Sequence, residues 1–212
     1  VEWFDYASYG YLATVIAVVF FPQTSPTNAL LATFGVFAIS FIVRPIGGIV
    51  WGHFGDRIGR RTALSLSILI MSAATFVIAL LPTYEQVGLW APVLLLLVRI
   101  VQGFSASGEY AGASLFLAEY APEGKRGFYT SFIQITATLG LFISLLVILL
   151  VRGSMATATF NDWGWRVPFL LSIFLVGISV YIRSRMKESP LFTKLKSEGK
   201  TSKAPLTDSF GN

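Results

Sequence analysis

The stretch Gly52–Leu64 reads GHFGDRIGRRTAL, and four charges crowd into it: Asp56, Arg57, Arg60 and Arg61. Upstream, Arg44 stands alone in an apolar run, and apolar sequence resumes directly after Arg61. Of the 212 residues 54% are hydrophobic and only 13% charged, with a mean hydropathy of +0.69. A soluble globule with so few polar groups could not cover its own surface. The charges are also segregated. None occurs between Asp5 and Arg44, between Arg61 and Glu85, or between Arg126 and Arg152. Each gap is long enough for a membrane-spanning helix of about 20 residues. Such a chain is an all-α membrane protein, and the charged stretch at 52–64 is a loop between two spans.

Six helices are expected, over 3–21, 29–52, 62–81, 90–118, 129–151 and 166–183. Breakers separate them: FPQTSPTN, LPTYEQVG and YAPEGKRG. Trp90, Trp163, Trp165 and Tyr181 fall near span ends, where amphipathic rings favour the headgroup level. Basic residues set the orientation. Arg57, Arg60, Arg61, Lys125, Arg126 and the tail from Arg183 to Lys203 fall on one side, whereas the opposite side holds Arg152 and Arg166. The positive-inside rule places both ends of the chain in the cytoplasm. Residues 1–186 are the transmembrane bundle. Residues 187–212, polar and basic, read as a cytoplasmic linker toward a further unit. The first helix starts abruptly at Val1 and is expected to be truncated there.

With no cysteine and a lone His53, thiol catalysis and histidine or cysteine metal sites have no residues to use. An enzyme would need a nucleophile–base pair inside the spans, and none is legible. The pI near 9.6 reflects loops that fix orientation rather than nucleic-acid binding. The informative residues are the ionisable ones inside spans, costly there and functional candidates by default. These are Asp5, Arg44, Arg99 and Glu109, with Gln102 three residues after Arg99 on much the same face. Counted from the outer ends, Asp5, Arg44 and Glu109 lie roughly 22–25 Å deep and Arg99 about 12 Å. If spans one, two and four adjoin, a carboxylate–guanidinium cluster forms in the inner half. Isolated carboxylates at such depth suit proton carriage. For Arg44 two readings stand: a functional cation, or a side chain satisfying carbonyls freed by Pro45. The glycines of GFSASGEYAGAS (Gly103–Ser114) and RPIGGIVWGHFG likewise fit either static close packing or a moving interface.

GHFGDRIGRR resembles the loop motif G-x-x-x-D-R-x-G-R-R/K of the major facilitator superfamily, matched by Gly52, Asp56, Arg57, Gly59, Arg60 and Arg61. RIVQG resembles that superfamily's span-four motif. More narrowly, EWFDYASYG, FIVRPIGG, SGEYAGA, EYAPEGKRGFY, WGWRVPFLLS and ESPLF, in this order, resemble the metabolite:proton symporter family. The resemblance implies the N-terminal six-helix half of a major facilitator fold, a 3+3 inverted repeat. It implies a proton-coupled symporter of a small organic acid or zwitterionic osmolyte, working by alternating access in a plasma membrane, the inner membrane of a bacterium. Protons are the coupling ion and no cofactor is implied. The partners are the solute, protons, the lipid bilayer and a C-terminal half, in the same chain or as a second copy; no nucleic acid is expected. Asp5, Arg44, Arg99, Gln102 and Glu109 would serve solute and proton. Gly52, Asp56, Arg57, Gly59, Arg60, Glu119 and Arg126 would form a cytoplasmic latch, with Asp56 at a helix N-terminus of the other half and Arg60 paired to Glu119. The alternatives are a half-transporter that dimerises and an assembly fragment that transports nothing.

Overall fold

A computed structural model describes residues 2–22 and 25–185, with 193–194 and 197–198. The expected linker 187–212 lies outside the described residues apart from those four. The described chain is helical, in the order α1 Glu2–Tyr11, α2 Ala13–Phe20, α3 Pro26–Ile42, α4 Arg44–Ile58, α5 Arg60–Leu80, α6 Tyr84–Val87, α7 Trp90–Tyr120, α8 Arg126–Gly153, α9 Thr157–Asp162 and α10 Val167–Arg185, with a 3-10 turn at Gly164–Arg166 before α10. Four apolar segments are long enough to cross a membrane: Pro26–Ile58, Arg60–Leu80, Trp90–Tyr120 and Arg126–Gly153. The bent pair α1–α2, taken as one span, makes a fifth, and Gly164–Ile178 is a shorter apolar stretch.

Local sequence explains most boundaries. The Ser25 hydroxyl accepts from the Asn28 N–H at 3.3 Å, and Pro26 occupies the first turn of α3, where no amide is missed. Pro45 lacks the N–H that the Phe41 carbonyl would accept, so the second span breaks at Val43 into α3 and α4.

Two expectations are corrected. The first span is not one straight helix over 3–21: α1 and α2 meet at Leu12 with a 68° bend. Hydrogen bonds still run through the corner, from Leu12 to Ser8 and from Ile16 to Leu12, and Gly10 beside it weakens the helix locally. Nor is 52–64 a loop. Helix α4 continues to Ile58, and the whole reversal falls on Gly59 at φ 107° and ψ 146°, a conformation that side-chain-bearing residues rarely adopt. The acidic and basic residues therefore sit on two helix ends, at fixed angles to one another.

Helix α7 is the spine, packed against α3, α4, α5 and α8; α10 packs on α5, and α1 on α8. Close approach rests on small residues. A Cβ on Gly103 would overlap the Ser40 carbonyl, one on Gly47 the Phe104 carbonyl, and one on Gly108 the Trp51 ring. Trp51 also donates to the Phe104 carbonyl at 3.0 Å. A Cβ on Gly48 or Gly52 meets nothing within 4 Å. So the glycines divide: Gly47, Gly103 and Gly108 are required by this packing, and Gly48 and Gly52 are not.

The half of the bundle away from Gly59 is filled by Tyr9, Leu12, Ile16, Phe20, Ile78, Leu95, Ile148, Phe160 and Phe169 around a wholly buried Trp165. Trp90, Trp163 and Tyr181 are exposed, as headgroup-level rings are, whereas Trp165 is not one of them: it lies edge-on to Phe20 and Phe169. Next to it, Arg166 donates to three carbonyls, Ala79 at 2.9 Å, Leu81 at 3.1 Å and Asp162 at 3.2 Å. Two of these acceptors belong to the end of α5, where carbonyls lack helical partners. Replacing Arg166 by alanine is expected to lower stability by about 2 kcal/mol, read as a fall in the thermal midpoint of the detergent-solubilised full-length protein. An unchanged midpoint would show that water replaces the guanidinium at no cost.

Candidate functional site

At the centre of the bundle the ionisable residues form two groups rather than the single cluster expected. The first is a hydrogen-bonded chain across three helices. Arg99 Nη1 donates to Gln102 Oε1 at 2.7 Å, Gln102 Nε2 donates to Thr75 Oγ1 at 2.7 Å, and Thr75 Oγ1 donates to Asp5 Oδ2 at 2.8 Å. All four residues are buried. One helical turn joins Arg99 to Gln102 on α7, while Thr75 of α5 bridges α7 to Asp5 of α1. The Arg99 guanidinium lies 3.7 Å from the Tyr9 ring centroid, with the rings of Tyr6 and Phe37 at 5.2 and 5.1 Å. Aromatic faces thus supply part of the solvation that water gives elsewhere. Among the described residues, Arg99 Nε and Nη2 and Asp5 Oδ1 remain without hydrogen-bond partners.

The second group lies at the start of α1. Arg44 Nη2 contacts Glu2 Oε1 at 2.6 Å, and its guanidinium stands over the rings of Tyr6 (4.7 Å) and Phe41 (4.5 Å). Of the two readings of Arg44, the geometry gives it a carboxylate rather than the carbonyls beside Pro45. Glu109 is half-buried, with Oε2 enclosed and unpartnered among the described residues, and it lies within electrostatic reach of both Glu2 and Asp5. Arg44 therefore pairs with Glu2, not with Asp5 or Glu109. The reason is register: Glu2 precedes Asp5 by three residues on one face of α1 and comes opposite Arg44, while Asp5 turns toward α5.

Sequence reasoning missed Glu2 and Thr75. The spacing of Glu2 from Asp5 was a usable signal. Thr75 carried none beyond being polar in an apolar helix. Hydroxyl pairing also ties α1 to α8, Ser8 to Ser144 at 2.9 Å, where Gly140 lets the Trp3 and Phe4 backbone approach.

At the end of the bundle that carries Gly59, Arg60 contacts Asp56 at 2.7 Å and Glu119 at 3.6 Å. Two basic residues in the first turn of α5 oppose its dipole, and these contacts offset that repulsion. Arg61 donates to the Ser184 carbonyl at 2.8 Å, tying α5 to the last turn of α10. Gly52 faces a small cavity of about 40 Å³ between α4, α5 and α7, which Arg60 also lines. Arg57 and Arg126 are exposed and join no ion pair among the described residues.

A family described as "Sugar (and other) transporter" matches residues 1–211. The proline/betaine transporter of Escherichia coli K12 is 42% identical over 191 residues, covering 90% of this chain and 38% of that protein. The inner membrane metabolite transport protein YhjE of the same strain is 44% identical over 207 residues, 97% of this chain and 47% of the relative. The shikimate transporter, also from that strain, is 42% identical over 193 residues, 91% and 44% of the two chains. The chain thus spans less than half the length of these relatives. Among solved structures, the inward-open xylose transporter XylE from E. coli superposes with a TM-score of 0.78 over 94% of this chain and 48% of XylE, at 23% identity. That likeness shows a shared fold. Family match, relatives and fold agree with the motifs at Gly52–Arg61 and Arg99–Gly103: the chain belongs to the sugar (and other) transporter family and shares its fold with the XylE half-bundle.

Proposed function

We propose that the chain is the first six-helix half of a proton-coupled symporter for a small organic acid or zwitterionic osmolyte, working by alternating access. The observation that carries this reading is the buried chain Arg99–Gln102–Thr75–Asp5. A carboxylate enclosed by protein, one of its oxygens unpartnered and its other oxygen bonded toward a guanidinium, is a group that can take and release a proton without exposing a charge to lipid. Its placement on α1, α5 and α7 links it to helices that would rock together. The solute would lie between this half and a second one, against the exposed faces of α3–α4 and α8. The pair Arg60–Glu119 with Asp56 would act as the cytoplasmic latch of that motion, with both ends of the chain on the cytoplasmic side of a bacterial inner membrane.

The test uses the full-length protein in proteoliposomes with an internal pH dye. Proline, glycine betaine, shikimate and xylose are added in turn. At least one is expected to drive proton entry. Asp5→Asn is expected to abolish that proton entry while keeping solute exchange between the two sides. Proton uptake by the variant at the wild-type rate would remove Asp5 from the proton path, and no solute-dependent proton movement in the wild type would overturn the reading.

A further inference from the structure

The two arginines of the site are not equivalent, and the difference assigns the solute. Arg99 is wholly enclosed, stacked on Tyr9 and bonded to Gln102. No solute reaches it without taking the bundle apart. The Arg44 side chain is 24% exposed and is walled by the flat faces of Tyr6 and Phe41, and its partner Glu2 meets it through one oxygen and one nitrogen. A guanidinium offers five N–H donors in a fork shaped for a carboxylate. Here Glu2 occupies one donor, and Nε has no partner among the described residues.

We propose that Arg44 is the docking group for the solute's carboxylate and that Glu2 is its built-in competitor, released by protonation. The inference rests on the transport reading above. In the proton-free site Glu2 neutralises Arg44. A proton added to Glu2 converts the carboxylate to a neutral acid, the ion pair is lost, and the solute carboxylate takes its place against Arg44. At the guanidinium itself one carboxylate leaves as another arrives, so Arg44 is paired in both states; with an anionic solute the whole site also stays neutral. Neither an unpaired guanidinium nor an unpaired carboxylate is left in low dielectric. That exchange ties one proton on Glu2 to one solute carboxylate on Arg44. The tight 2.6 Å contact makes the competition strong, since a second carboxylate cannot approach the same Nη2.

The other groups around Glu2 act in the same direction. Glu109 of α7 is a carboxylate within electrostatic reach of Glu2 and disfavours a solute anion unless a proton enters with it, and Asp5 lies one turn further along α1. Arg44 of α4 is the cation facing Glu2, and Tyr6 lies between Arg44 and Arg99. Helix α8 brings Gly140 and Ser144 to α1 and carries its own charges at its ends, Arg126 and Arg152. Helix α10 has no charged residue before Arg183.

The experiment measures equilibrium binding and counterflow of proline, glycine betaine and shikimate, with xylose as a solute lacking a carboxylate, in the full-length protein at pH 5.5 and 8. Lowering pH protonates Glu2 and frees Arg44. Wild-type affinity for the carboxylate solute is therefore expected to rise by about tenfold to hundredfold as pH falls. Glu2→Gln is expected to bind with the low-pH affinity at both pH values and to keep counterflow while losing accumulation driven by a pH gradient. Arg44→Gln is expected to lose carboxylate binding at both. If Glu2→Gln does not fold, Glu2→Asp serves: its shorter side chain loosens the pair and is expected to raise affinity at pH 8. Undiminished pH dependence in Glu2→Gln, or wild-type affinity in Arg44→Gln, overturns the proposal. Proton entry coupled to xylose alone overturns it while leaving proton-coupled transport standing, and proton entry with no solute overturns both.

Discussion

Replacing Gly103 by alanine is expected to cost this bundle about 3 kcal/mol, a single methyl group acting at the crossing of α3 and α7. The added Cβ would fall on the carbonyl of Ser40, with the Ser40 carbonyl carbon at 2.7 Å and Cα at 2.8 Å. These are backbone atoms of a helix interior. They cannot turn aside as a side chain can, so relief requires moving one helix away from the other. That movement would also loosen the contacts of Trp51 with Phe104 and Gly108 further along α7. Gly35→Ala on the same helix as Ser40 is the matched control, because a Cβ there meets nothing within 4 Å. That substitution should leave stability unchanged or raise it by up to about 1 kcal/mol through helix preference. Thermal unfolding of the full-length protein in detergent reads both. Equal midpoints for the two variants would show that the α3–α7 approach is looser than it is here.

The contrast bears on how far the fold was legible. The helices expected over 62–81, 90–118, 129–151 and 166–183 were placed within about three residues of their observed ends because hydropathy and breakers are local signals. The one expected over 29–52 runs on to Ile58, since Asp56 and Arg57 read as a loop. The pairing of Arg60 with Glu119 was also reached, through the motif resemblance. What escaped were features fixed by contact between distant segments. Gly103 and Gly52 look alike in sequence, yet only Gly103 is pressed against a neighbouring backbone, and nothing local to either says so. The 68° bend at Leu12 has no proline to announce it. Trp165 sits at a span end like Trp163 but turns inward, because Phe20, Phe160 and Phe169 converge on it from three other segments. The candidate site shows the same limit. Depth alone put Asp5, Arg44 and Glu109 together, whereas rotation about α1 decides that Glu2 meets Arg44 and Asp5 meets Thr75. A residue's level in a membrane can be counted from sequence; its azimuth depends on the partner helix.

The central chain makes the strongest claim on the site, and Gln102→Leu is its most direct test. Leucine fills nearly the same volume, so packing changes little, but two hydrogen bonds are lost together. Arg99 loses its acceptor and Thr75 loses its donor. A guanidinium wholly buried with its nitrogens unpaired is far costlier than a missing neutral bond, and the expected loss is about 3 kcal/mol. Arg99→Met alone should also destabilise, by leaving the Gln102 carbonyl oxygen without a donor. The two changes together should cost less than their sum, because the double variant buries neither an unpaired cation nor an unpaired amide; a coupling of at least 1 kcal/mol is expected for groups in one network. Thermal midpoints of the wild type, both single variants and the double variant give that coupling. Additive losses would mean that Arg99 is solvated by the faces of Tyr6, Tyr9 and Phe37 and needs Gln102 little. Proton movement would then have to reach Asp5 without passing along α7.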